Sequence, residues 1–300
     1  MANIIRKLTQ TGNSHDQPDL ETLRDNLPIF IADEPEQIVD AFETGLDSLS
    51  QPSSSVSVQE AAQTLLAEIQ RILPLTVDKK EQAFLLESLA SLLMCTAQQT
   101  PSRHIGQELL VNTVGLINVS PEETWRNGFL MALGMRMRDG WSGFTMENGE
   151  EEDDVQTPDE WLNLNSFNAR LFGSGITRWY NMAIWQLREA LETKLGPDSH
   201  ENDCKIAVAS EWIIQAGPQL LRETMLNEDI SEAENRAYSG LELWTGMPGL
   251  STERWGFWKR RLAEVKLGVK TKLTLDYLEH AERVMTAVEK DLASSIPRIM

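Results

Sequence analysis

The sequence predicts an all-α protein, a multi-helix bundle or array, and three observations carry that prediction. Apolar residues recur at i, i+3 and i+4 through most of the chain. No stretch sustains the alternation of a half-buried strand. Two segments, Ser120-Pro121-Glu122-Glu123 and Thr157-Pro158-Asp159-Glu160, carry a hydroxyl cap, a proline at the first helical position and a glutamate at the third. That is a capping box, in which two otherwise orphaned amide donors are satisfied reciprocally.

Residues 1–19 are polar and aperiodic and read as a loose arm. A short helix is expected over Leu20–Asn26, and a clearer one follows Pro35, with Ile38, Val39, Phe42 and Leu46 on one face. Gln51-Pro52-Ser53-Ser54-Ser55 breaks it. Helices are expected over Val58–Leu73 and from Asp78 to about Gln99, the second with Phe84, Leu85, Leu89, Leu92 and Leu93 inward, then over Ile105–Leu116. The two capped helices run to about Arg138 and Phe172. Between them lies an acidic loop, 139–156. Further helices are expected at Thr177–Leu195, Asp203–Ala216, Gln219–Leu226, Ser231–Leu243, Thr252–Leu267 and Thr271–Ser294. All nine tryptophans fall between Trp125 and Trp258. Residues 20–300 therefore read as one helical domain, with an aliphatic subdomain over 20–118 and a Trp-rich region over 119–300. Because an indole N–H needs a partner when buried, the clustering predicts a Trp-lined pocket in the C-terminal two-thirds.

With 46 acidic and 27 basic residues the net charge is −19. Such a field repels phosphate backbones and anionic lipid surfaces, so neither nucleic acid nor membrane is an expected partner. No window approaches 18 consecutive apolar residues, and the opening MANIIRK lacks a signal-peptide core. Cys95 and Cys204 stand far apart, and His15, His104, His200 and His280 show no metal-ligand spacing. A reducing, cytoplasmic location and no metal site are the expectations. Consecutive acids between Glu147 and Asp154 point in all directions and read as a solvated loop. Gly-rich phosphate loops, GxSxG and HExxH are absent from the sequence.

Three constellations remain. In EWLNLNSFNARL (160–171), Trp161, Leu164 and Leu171 share a face with Asn168 in its middle and Asn165 on its shoulder. Buried amides cost about 1–3 kcal/mol each unless bonded, so Asn168 is expected to be buried with its bonds met. In ERWGFWKRRL (253–262), Trp255 and Trp258 define an inward face that includes Lys259, with Arg254 beside it. This basic cluster is a candidate grip for a diphosphate or carboxylate. In KIAVASEWIIQA (205–216), Glu211 is the ionisable residue of an otherwise apolar helix, next to Trp212. Such a carboxylate is a candidate acid or base.

EWLNLNSFNARL together with LWTGMPGLSTERWGFWKRRL (243–262) resembles the fungal family termed domain of unknown function 3632, over about Pro121–Glu289. That resemblance implies a fungal protein, in some cases accompanying specialised-metabolite pathways. A weaker likeness is to non-canonical helical cyclases of fungal terpenoid pathways, which hold diphosphate with magnesium and a lysine. Lys259 would be the matching lysine.

The reading that follows is a cofactor-poor enzyme closing a ring on a small apolar terpenoid or polyketide-like substrate. Lys259, Glu211 and Asn168 would act on it, and Trp161, Asn165, Arg254, Trp255, Trp258 and Trp212 would bind it. A magnesium-dependent diphosphate cyclase and a metal-free Diels–Alder-type pericyclase both remain open. The alternative is a non-enzymatic helical module presenting a groove to a partner protein.

Overall fold

A computed structural model describes residues 57–72, 78–146, 156–196, 199–226 and 230–295. The arm at 1–19, the helices expected before Gln51 and the acidic run 147–155 lie outside the described residues. Within them ten α-helices form, and the closest approach to a sheet is one isolated bridge between Phe144 and Gln156. The fold is all-α. Its contacts divide the chain into two compact units, one ending at Phe167 and the other beginning at Asn168. The division falls inside a helix, not at the change of composition near residue 118.

The first unit contains α1 (Val58–Ile72), α2 (Lys79–Gln99), α3 (Ile105–Asn118), α4 (Glu123–Asp139) and the first part of α5 (Pro158–Gly173). α1 packs on α3 and α2 on α4. Asp78 starts α2 as expected, accepting from the Lys80 amide at 3.2 Å. Leu89, Leu92 and Leu93 face inward as expected, and Phe84 does not. Leu86, Leu89, Leu92, Leu93 and Ala97 are buried, whereas Phe84 is exposed.

Only one of the two expected capping boxes forms. The Glu160 carboxylate accepts from the Thr157 amide at 2.8 Å, and Thr157 Oγ1 accepts from the Glu160 amide at 3.2 Å. At the other, α4 begins at Glu123, with Glu122 at the N-cap and no side-chain cap. There Glu123 is drawn forward to the Arg126 guanidinium, and Arg126 also donates to the Ser120 carbonyl at 2.9 Å. The helix starts two residues late, and the Ser120 hydroxyl accepts from the Glu122 amide.

The second unit contains the end of α5, α6 (Tyr180–Leu191), α7 (Ser199–Leu226), α8 (Glu232–Ala237), α9 (Thr252–Val265), a 3-10 turn at Lys266–Gly268, and α10 (Lys272–Ser295). α7 is central, packing against α6, α9 and α10. It is one helix where two were expected, because it continues through Gly217-Pro218. A Cβ at Gly217 would lie 2.9 Å from Val284 Cγ1 of α10. The long contact with α10 thus holds helical a segment whose local sequence favours a break. Asp203 near the start of α7 accepts from the amides of Lys270 and Thr271 at 3.2 and 2.7 Å, fixing the entry to α10.

α8 is far shorter than the expected Ser231–Leu243. Its start carries a capping box between Ser231 and Glu234, but after Ala237 the chain turns away to supply carbonyls to a buried arginine.

Candidate functional site

Three polar constellations are built into these helices, two of them in the second unit. The first lies where the last turn of α5 meets α7. A Cβ at Gly173 would fall 2.3 Å from the Gln215 carbonyl oxygen, so the two backbones touch as only glycine permits. Phe172 packs on Trp212 with ring centroids 6.4 Å apart. Asn168, one turn before Phe172, is fully buried, and neither its amide nitrogen nor its amide oxygen has a hydrogen-bond partner. Burial agrees with the sequence; the expected set of satisfied bonds is not there. Glu211, beside Trp212, is also buried and accepts from the Gln215 side-chain amide at 2.9 Å.

The second constellation is centred on Glu192 and Arg254, both wholly inaccessible to solvent. Arg254 donates to both carboxylate oxygens, from Nε at 2.6 Å and Nη2 at 2.9 Å. Its Nη1 donates to the carbonyls of Tyr238 and Gly249 at 2.7 and 2.8 Å. The same carboxylate accepts from Trp258 Nε1 at 2.7 Å and from the Leu241 amide at 3.2 Å. Gly249 has φ of +80°, a conformation open to glycine, and this presents its carbonyl to the arginine. Next to this centre Arg188 donates to the Ala237 carbonyl at 2.8 Å, and burial lowers its pKa against the opposing charge of Glu189. Arg254 is therefore an internal strut, with its charge matched and four of its five N–H groups bonded.

Lys259 is likewise engaged. Its amine pairs with Glu289 of α10 at 2.5 Å, with the side chain 34% exposed, and Trp255 Nε1 donates to the other Glu289 oxygen at 3.0 Å. The expected anion grip of Arg254, Lys259 and two indoles is thus two separate ion pairs, one in the core and one near the surface.

Trp161 and Asn165 belong to the first unit. Trp161 meets Trp141 edge-on at 4.8 Å, and Asn165 donates to the Trp161 carbonyl at 2.8 Å. The third constellation is close by in sequence: Asn163 accepts from the Ser102 amide at 2.8 Å and donates to the Gln98 carbonyl at 2.9 Å. Gln107 adds bonds to the carbonyls of Ala97 and Thr100. Together these tie the start of α5 to the α2–α3 connection.

Each of Trp212, Trp255 and Trp258 is tied to a different partner, Phe172, Glu289 and Glu192 respectively. A surface groove of about 470 Å³ does occur, on α10 beside Lys266, and no tryptophan lines it. Among the described residues no three His, Cys, Asp or Glu side chains gather as a metal ion would require, and no helix is long and apolar enough to cross a membrane.

Sequence reasoning missed Glu192, Asn163 and Asp203. For Glu192 a signal existed: an arginine beside a tryptophan-bearing face needs a buried carboxylate. Nothing local says which of 46 acidic residues supplies it.

Fold and sites together define an all-α protein whose second unit is organised around a buried ion pair and an unpartnered amide. The family described as protein of unknown function (DUF3632) matches residues 85–262, and the chain belongs to that family. The match begins within α2, earlier than the expected Pro121, and ends at Leu262 of α9. No curated protein and no solved structure matches the chain.

Proposed function

We propose that the chain is a cytoplasmic, cofactor-poor enzyme that binds a small, largely apolar molecule at Asn168 and closes a ring on it. One observation carries this reading: Asn168 is fully buried with both polar side-chain atoms unpartnered. Leaving such groups unsatisfied costs about 1–3 kcal/mol each, a cost tolerated where a ligand supplies the missing bonds. A neutral amide offers donors and acceptors together, which suits a carbonyl or hydroxyl and not a diphosphate. Arg254 and Lys259, which would have held a diphosphate, are spent on Glu192 and Glu289. The metal-free pericyclic class is therefore favoured over the magnesium-dependent one.

In that mechanism the aromatic surface of Phe172 and Trp212 folds the substrate into a reactive conformer, and positioning of this kind lowers a barrier by several kcal/mol. The Asn168 N–H polarises a carbonyl conjugated to the reacting alkene. The step is an isomerisation: two carbon–carbon σ bonds form from π bonds, and no atom, proton or electron is gained or lost. The ring closure itself, and a place in fungal specialised metabolism, come from the resemblance carried by the 160–171 and 243–262 motifs.

Asn168→Leu tests the proposal. It replaces unpartnered polar atoms by an apolar side chain of similar volume, so the melting temperature should rise while ligand-induced stabilisation by apolar carbonyl compounds disappears. A fall in melting temperature would mean that the amide is already satisfied in the free protein, and the reading would fail.

The second reading is a non-enzymatic interaction module. The open surface groove beside Lys266 on α10 favours it.

A further inference from the structure

We propose that Arg188 anchors a binding site for a small apolar monocarboxylate. Two guanidiniums of the second unit are held in the same way. Arg254 gives Nη1 to the carbonyls of Tyr238 and Gly249, and its Nε/Nη2 edge to the two oxygens of Glu192. Arg188, on α6, gives Nη1 to the carbonyls of Ala237 and Ser239 at 2.8 and 3.3 Å. Residues 237–239 therefore hand their carbonyls in turn to Arg188, Arg254 and Arg188. On Arg188 the Nε/Nη2 edge meets no carboxylate. Its Nε is buried without a hydrogen-bond partner, and no described residue accepts from Nη2 or pairs with the charge. Other shielded cations are not left this way. Arg126, Lys205, Lys259, Arg261 and Lys266 are also partly buried, and each pairs with a carboxylate. A charged donor kept from water costs more to leave unbonded than a neutral one, and desolvation already lowers the Arg188 pKa.

The Nε/Nη2 edge of a guanidinium matches a pair of oxygens on one centre, so a carboxylate and a phosphate both fit it. Charge selects between them. Glu189 and Glu192 both act on Arg188 from nearby, and Glu192 is already spent on Arg254. With two carboxylates in range, one further negative charge is accommodated better than two, which favours a carboxylate over a phosphate dianion. Trp185 decides the rest of the ligand. It lies one turn before Arg188 on α6, is partly exposed, and donates its indole N–H to the same Ala237 carbonyl at 3.3 Å. Side chains three apart are neighbours on a helix, so the indole flanks the guanidinium and offers an apolar face to the body of the acid.

This inference rests neither on Asn168 nor on the α10 groove. The probe is phenylacetate, with phenylacetamide and phenyl phosphate as its neutral and dianionic counterparts. Each is titrated into the full chain by calorimetry and by the Nε–H signal of Arg188 in proton–nitrogen correlation spectra, assigned by its loss in Arg188→Lys. Phenylacetate should bind with a Kd on the order of 1 mM, as suits a ligand of its size, and should move that signal. Phenylacetamide should do neither, and phenyl phosphate should bind more weakly. Arg188→Gln should weaken phenylacetate binding by about tenfold or more. Arg188→Lys should recover little of it, because an ammonium has no fork, and Trp185→Ala should give a smaller loss. Arg283→Gln, which removes an exposed cation of α10, should change nothing. If the Arg188 variants misfold, the Nε–H signal of the wild-type protein decides alone. An unmoved signal, equal binding of the amide, tighter binding of the phosphate, undiminished binding by Arg188→Gln, or an equal loss in Arg283→Gln would each overturn the proposal.

Discussion

Removing the carboxylate of Glu192 should be among the most damaging single changes in the second unit. In Glu192→Ala, four donors lose their acceptor at once: Arg254 Nε and Nη2, Trp258 Nε1 and the Leu241 amide. The guanidinium would stay wholly buried against the carbonyls of Tyr238 and Gly249, with no countercharge. Breaking one side of a buried pair costs about 3–5 kcal/mol, because the surviving charge is stranded in a medium that cannot solvate it. At about 2–4 °C per kcal/mol for units of this size, the melting temperature should drop by roughly 10 °C. Urea unfolding followed by circular dichroism measures the free energy, and the fluorescence of Trp258, whose N–H loses its acceptor, reports on the site. The double variant Glu192→Met/Arg254→Met should be less damaged than the sum of its singles by more than about 1 kcal/mol, since it leaves no orphaned charge. A Glu192→Ala protein within about 1 kcal/mol of wild type, or strict additivity in the double variant, would refute the claim that this pair holds the 238–250 segment to α6 and α9.

Other consequences are more local. Gly173→Ala would drive a methyl into the Gln215 carbonyl and should cost about 1–3 kcal/mol of overpacking, read as a lowered urea midpoint at unchanged helix content. Asn163→Leu strips the partners from the Ser102 amide and the Gln98 carbonyl and should cost about 1–3 kcal/mol. Hydrogen exchange would place the lost protection at residues 98–107. Burial, with the nearby Tyr180 and Glu234, pushes the Tyr238 phenol up to about 12. The folded state then holds that proton more tightly than the unfolded chain, so this contribution is complete below the ordinary tyrosine value and is lost as pH climbs from there toward about 12. An alkaline absorbance titration should contain a late step that Tyr238→Phe removes.

What the sequence determined by itself was what short range controls. Periodicity of apolar residues places nearly all the described helices, Thr157 with Glu160 starts α5, and Asp78 starts α2, because caps and helical faces are decided within a turn or two of chain. It also marked Asn168 as buried, since a polar residue flanked by apolar neighbours at helical spacing has nowhere else to go. Contacts across long separations settled the remainder. α7 runs through Pro218 because α10 packs along it. The helix expected to start after Ser120 starts two residues later, with the Ser120 hydroxyl accepting from the Glu122 amide, and Phe84 faces solvent while Leu89, Leu92 and Leu93 are inward. The basic cluster at 254–261 reads as a ligand grip in one dimension, yet Arg254 and Lys259 are matched by Glu192 and Glu289, 62 and 30 residues away. A charge in the sequence carries no record of its partner. Desolvation makes a buried cation demand a carboxylate, but which of many acids answers is fixed only when packing excludes water from both.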